Sequence, residues 1–208
     1  MDATSWDERY RASELVWSAG PNAFVAEAFA DRPPGRALDL AAGEGRNALW
    51  LAERGFEVEA VEFSPVAIEK ARELAAHRGV EVTFTQADLL GEPELAPADV
   101  VIVAYLQLTE AASFRAHRLA ARLVAPGGEL FVIAHAPRNL TDGHGGPPSA
   151  DVLPSLTQLR GAAEAEGLVV DVAEEVTREV DTPDGPRTAI DVLVRAYRPV
   201  TARAAARR

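Results

Sequence analysis

The chain has 208 residues, 48% of them hydrophobic, with 32 acidic side chains against 21 basic ones and a net charge of −11. That length suits one domain with a full core, and no apolar run approaches the ~20 residues that span a bilayer. The acidic balance argues against nucleic acid as a general partner, the lack of cysteine excludes disulfides and thiolate metal sites, and the N-terminus lacks the order of a signal peptide, so a soluble cytoplasmic protein is expected.

Trp6 to Trp17 mixes aromatic and charged residues and reads as a short helix with a loop. Asn22 to Phe29 has a helical apolar stripe, with Pro21 suited to its first turn. Ala37 to Leu40 is a strand that ends in the turn Ala41-Ala42-Gly43-Glu44-Gly45, and Asn47 to Arg54 is helical. Val58 to Val61 is a second strand ending on Glu62. Ser64 then caps a helix that starts at Pro65 and runs to about His77. Val80 to Thr85 is a strand closing near Asp88, and Asp99 to Ala104 is the unbroken β-branched run of a strand buried on both faces.

Glu110 to Leu123 is helical and stops at Ala125-Pro-Gly-Gly128; Glu129 to Ala134 is the next strand. Pro137 to Pro148, rich in glycine and proline, reads as a loop of functional length. A helix over Leu156 to Glu166 precedes two strands, Leu168 to Val180 and Thr188 to Tyr197, joined by a turn at Pro183 to Gly185. Strands alternating with helices predict a parallel α/β sheet covered on both faces, and the closing hairpin adds at least one antiparallel strand. Residues 1–200 form one domain in this reading, and 201–208 a frayed tail.

Strand, glycine turn, helix, strand and acid make half of a nucleotide-binding unit. Glycines let a backbone approach a ligand closely, and a carboxylate at the tip of the second strand can accept both hydroxyl protons of a ribose. Glu62 follows Gly43 by nineteen residues, a spacing that also suits a dinucleotide. Asp39, just before the turn, would repel a pyrophosphate but hold an amino acid's ammonium group. Asp88 can accept from an adenine amino group, although an Asx turn would use it equally well. The helix-plus-hairpin ending is wrong for the second half of a dehydrogenase. S-adenosylmethionine therefore fits better than NAD(P).

From Trp6 to Tyr197 the chain resembles the class I S-adenosylmethionine-dependent methyltransferases, through Leu38 to Arg46, Val58 to Pro65, Gln86 to Leu90, Asp99 to Leu108 and Leu123 to His135. Within that family the N-terminal aromatic segment and the His-Gly-Gly-Pro loop are similar to small-molecule members of the tellurite-resistance and thiopurine types. The resemblance implies a Rossmann-like, seven-stranded sheet of order 3-2-1-4-5-7-6 with strand 7 antiparallel. It implies that Glu62 holds the ribose, Phe63 lies on the adenine, and Asp88 and Leu89 flank it. Ala41, Gly43 and Gly45 line the methionine and ribose, Asn47 adds to the cofactor set, and Asp39 steers the amino group. Ala104 and Tyr105 lie under the methionine end and face the acceptor. Where relatives carry glycine this chain has Ala41, which is expected to keep a negative φ.

A lid of about residues 1–30 is expected to close over the cofactor, with Trp6, Tyr10 and Trp17 offering rings to the sulfonium cation. His135 after the fifth strand, His144 in the loop and Tyr105 are the catalytic candidates on the acceptor side. Arg46 and Arg138 suit a carboxylate. No metal is expected, because the four histidines have no ligand spacing. The reading is an enzyme acting on a small molecule, with neither nucleic acid nor membrane as partner, as monomer or homodimer. An NAD(P)-dependent oxidoreductase and a non-catalytic cofactor-binding relative are the alternatives.

Overall fold

The computed structural model of the chain describes residues 3–13, 15–16 and 20–200. Helices α1 (Ala3–Ala12) and α2 (Ala23–Phe29) precede β1 (Arg36–Leu40), α3 (Arg46–Glu53), β2 (Glu57–Glu62), α4 (Pro65–Arg78) and β3 (Thr83–Gln86). There follow β4 (Ala98–Ala104), α5 (Glu110–Arg122), β5 (Val124–His135), α6 (Asn139–Asp142), α7 (Leu156–Ala165), β6 (Val169–Val180) and β7 (Arg187–Tyr197). The seven strands form one sheet of order β3-β2-β1-β4-β5-β7-β6. Strands β1 to β5 pair in parallel, and β7 runs antiparallel to both β5 and β6. This is the expected order.

Alternation along the central strands builds two cores. Val101 and Val103 of β4 face α5 and α7 through Ala116, Leu119, Ala120, Leu159 and Ala163. Val100 and Ile102 face α2 and α3 through Val25, Phe29, Ala48 and Leu51. Because both faces are covered, β4 reads as a continuous apolar run. Capping follows residue chemistry: Ser64 Oγ accepts from Ala67 N at 3.1 Å, and Asn22 Oδ1 accepts from Phe24 N and Val25 N at 3.0 and 3.2 Å.

Four local expectations are corrected. Pro21 precedes the Asn22 cap rather than entering the first turn of α2. Strand β3 begins at Thr83, not Val80, because Val80 N closes the end of α4 by bonding to Ala75 O at 3.1 Å. Helix α5 stops as expected, but β5 begins at Val124 rather than Glu129 and runs through Ala125 to Gly128, with the register against β4 jumping between Ala98 and Val100. The 137–148 loop contains the short α6.

Candidate active site

A cleft opens at the carboxyl ends of β1, β2 and β4, where ligands sit in open α/β sheets. The structure brings Trp6, Tyr10, Asp39, Ala41, Gly43, Asn47, Glu62, Phe63, Asp88, Leu89, Ala104 and Tyr105 into its wall. Ala42, Val61, Ala87, Leu106 and Leu108 complete that wall without a signal in the sequence, and Arg46, expected to suit a carboxylate, joins them. Trp17 lies outside the described residues. Gly45, expected to line the ligand, instead heads α3 at φ 76°, where a Cβ would meet Ala71 at 3.3 Å; it serves packing against α4. His144 is exposed in the loop after α6, and His135 stands behind Tyr105 with ring centroids 4.7 Å apart; neither lines the cleft.

Glu62 is buried, and backbone fixes its carboxylate. Gly43 N donates to Oε2 and Ser64 N to Oε1, both at 2.9 Å. A carboxylate offers about four acceptor positions, so two such bonds aim the group and leave capacity toward the cleft. Burial raises its pKa, and the Ser64, Gly43 and Phe63 N–H groups oppose that rise. Asp39 is buried too; its Oδ2 accepts from Ala48 N at 3.1 Å in the first turn of α3. Burial pushes its pKa up to about 7, against the lowering effects of Ala48 N–H and Arg46. A buried carboxyl poised there suits a cationic ligand group. Both acids thus fit the ribose and the ammonium of the expected cofactor.

Ala41 departs from expectation. Its φ is 56°, in the left-handed region where a Cβ costs about 1–2 kcal/mol. The turn survives because Ala42 N bonds to Val61 O and Gly45 N to Ala42 O, at 3.1 and 3.0 Å. Ala41→Gly is expected to stabilise the protein by about 1 kcal/mol, raising its melting temperature by roughly 2–4 °C in calorimetry. Asp88 Oδ1 accepts from Leu90 N at 2.9 Å, so the Asx turn is present while the residue borders the cleft.

The N-terminal segment is tied to the turn. Trp6 and Tyr10 stack at 5.6 Å and pack on Ala67 of α4, with Phe63 and Val16 beside them. Lys70 donates to Ser13 O at 2.6 Å, to Tyr10 O, and to Glu44 Oε1 at 3.2 Å. The same Glu44, inside the glycine turn, accepts from Val16 N at 2.9 Å.

Tyr105, at φ 57°, begins a polar cluster absent from the sequence reading. Its hydroxyl donates to Asp191 Oδ2 at 2.8 Å and accepts from Asn22 Nδ2 at 3.2 Å and Arg178 Nε at 3.1 Å. With both lone pairs and its proton engaged, that hydroxyl is saturated. Burial and then the Asp191 charge raise its pKa, so it stays a phenol. Tyr105 therefore presents a ring face to the cleft, and this corrects any role as a base. The one available sequence signal was Asp191, an acid interrupting the apolar run Ala189 to Val194.

Among the described residues, no cluster of three histidine or acidic side chains could hold a metal, and no helix is long and apolar enough to cross a membrane.

Comparison with known proteins agrees with this geometry. Residues 37–128 match the model of a methyltransferase domain family. A demethylmenaquinone methyltransferase of Thermus thermophilus is 40% identical over 110 residues, 51% of this chain and 50% of that protein. The chain spans about half the length of the curated relatives it matches. A structure solved for the conversion of a disulfide bond into a thioacetal group during echinomycin biosynthesis superposes with a TM-score of 0.77 at 24% identity, covering 98% of this chain and 94% of that one. The S-adenosylmethionine-dependent methyltransferase SibL superposes at 0.61 with 22% identity, over 85% of this chain and 53% of its own. Residues 37–128 thus carry a methyltransferase-type domain, and the chain as a whole shares the fold of these solved structures.

Proposed function

We propose that the protein transfers a methyl group from S-adenosylmethionine to a small-molecule acceptor. The observation that carries this reading is the buried Glu62, clamped by Gly43 and Ser64 at the tip of β2 and facing the cleft. When bound, the cofactor supplies an activated methyl carbon on a sulfonium, so the chain's task is alignment and desolvation, worth up to ~7–11 kcal/mol. Glu62 holds the ribose, Phe63, Asp88 and Leu89 the adenine, and Asp39 the amino group, with the Ala41–Gly43 backbone and Asn47 alongside. Trp6 and Tyr10 cover the site, and Tyr105 marks the acceptor end, with His135 packed behind it.

Buried Asp39 beside the turn favours this over a dinucleotide, whose pyrophosphate it would repel. The net charge of −11 supports a small acceptor over a nucleic acid. Titration of the pure protein with S-adenosylhomocysteine and with NAD(H) tests the cofactor; saturable binding of the dinucleotide alone would overturn the assignment. Release of S-adenosylhomocysteine with an acceptor panel separates an enzyme from a binding protein that has lost its chemistry.

Residues 1–30 act as the lid in this reading, with Lys70 and Glu44 as its latch. Lys70→Ala is expected to speed cofactor dissociation about 3- to 10-fold in stopped-flow measurements, through the loss of roughly 1 kcal/mol of partly exposed bonds. An unchanged off-rate would detach the segment from the site.

A further inference from the structure

We infer that Asp7 is a positioning residue for the cofactor: carried on helix α1, it reaches through Ser64 to the ribose acid Glu62, so that the grip on the sugar depends on a carboxylate of the lid. This rests on the methyl-transfer reading and deepens it.

Ser64 is the pivot, and it is fully buried. Its N–H donates to Glu62 Oε1 at 2.9 Å, and its Oγ accepts from Ala67 N at 3.1 Å as the cap of α4. The hydroxyl proton is donated to Asp7 Oδ1. A hydroxyl has one proton to give, and a bond from it to a carboxylate is charge-assisted and strong. The docked Asp7 therefore locks the Ser64 rotamer, and with it the N–H that aims the Glu62 carboxylate.

Packing holds α1 in this place. Trp6 and Tyr10, on either side of Asp7 along the helix, stack at 5.6 Å, pack on Ala67 and line the cleft. The Asp7 side chain is only 16% exposed, whereas Arg11, one turn on and 3.6 Å away, is 60% exposed. Solvent screens that ion pair, so the buried bond to Ser64 is the one that orients the Asp7 carboxylate.

The charge of Asp7 is felt at Glu62 as well. Burial raises the pKa of Glu62 most, the N–H groups of Ser64, Gly43 and Phe63 oppose the rise, and the Asp7 carboxylate adds to it. Asp39 of β1, Arg46 of α3 and Asp88 beyond β3 share the cleft wall with Glu62, while Lys70 of α4 and Glu44 of the glycine turn pair at 3.2 Å beside α1. A like charge beside Glu62 favours its protonated form, which has fewer acceptor sites for the ribose hydroxyls. As pH falls, the wild type therefore loses its hold on the sugar at a higher pH than a chain without that charge. Asp7 has two separable effects: its oxygen orients Ser64, and its charge sets the pH at which the sugar is released.

Calorimetric titration of the full chain with S-adenosylhomocysteine separates them. Asp7→Ala, which removes oxygen and charge together, is expected to weaken binding about 10-fold near neutral pH. Asp7→Asn keeps an acceptor for Ser64 and is expected to stay within about 3-fold of wild type. In a double-mutant cycle of Asp7→Ala with Ser64→Ala the losses should not add, because both break one link. The ratio of the wild-type to the Asp7→Asn dissociation constant cancels the titration of Asp39 that both proteins share. It should rise about 3-fold as pH falls from about 7.5 to about 5.5. If Ser64→Ala fails to fold, the two Asp7 variants carry the test. A flat ratio, additive losses, or Asp7→Ala binding as tightly as wild type overturns the inference and leaves methyl transfer standing; failure of the wild type to bind S-adenosylhomocysteine removes both.

Discussion

Glu62→Gln is expected to weaken S-adenosylhomocysteine binding by about 10²-fold, roughly 3 kcal/mol, in calorimetric titration. Both carboxylate oxygens already accept backbone N–H groups, from Gly43 and Ser64. Glutamine keeps the shape but turns one oxygen into an N–H₂ that faces one of those donors. One backbone amide then loses its partner, and one ribose hydroxyl meets a donor where it needs an acceptor. Because Glu62 also ties the glycine turn to the start of α4, the melting temperature is expected to fall as well. An unchanged affinity in a folded variant would sever the link between this acid and the sugar.

The second large effect is a pH dependence at Asp39. Its pKa rises from 3.8 to about 7 on folding, chiefly through burial. A raised carboxyl pKa means that the folded state holds more protons than the unfolded one between those values. This contribution to stability is therefore complete below about pH 4 and is lost as pH rises toward 7. The lost contribution is of the order of 4 kcal/mol. Asp39→Asn should flatten that part of the pH–stability curve while other carboxylates continue to titrate. An ammonium group placed against Asp39 would favour the ionised form, so cofactor binding near pH 6 should release a proton, read as a dependence of the calorimetric enthalpy on the buffer. Equal enthalpies in buffers of different ionisation heat would place the ammonium elsewhere.

The β1–turn–α3–β2 unit was legible because periodicity, glycines and a strand-ending acid are local signals. The strand order followed from the resemblance, and the structure shows it. Ala41 was misjudged because its φ is set by Ala42 N bonding back to Val61 O on the neighbouring strand, which no local propensity encodes. Gly45 looked like a ligand-lining glycine, yet its neighbour is Ala71 on α4, a tertiary contact. The persistence of β5 through Pro126 and two glycines depends on pairing with β4 and the bulge that re-registers it. The cluster of Asn22, Tyr105, Arg178 and Asp191 joins residues up to 169 positions apart. Only the acid inside an apolar strand hinted at it.

Crystallising the protein with S-adenosylhomocysteine bears most directly on the proposed activity. Both ribose hydroxyls should lie within about 2.5–2.7 Å of the Glu62 carboxylate oxygens, with the amino group against Asp39. A ribose bound elsewhere, with Glu62 bonded to Gly43 and Ser64 alone, would contradict it.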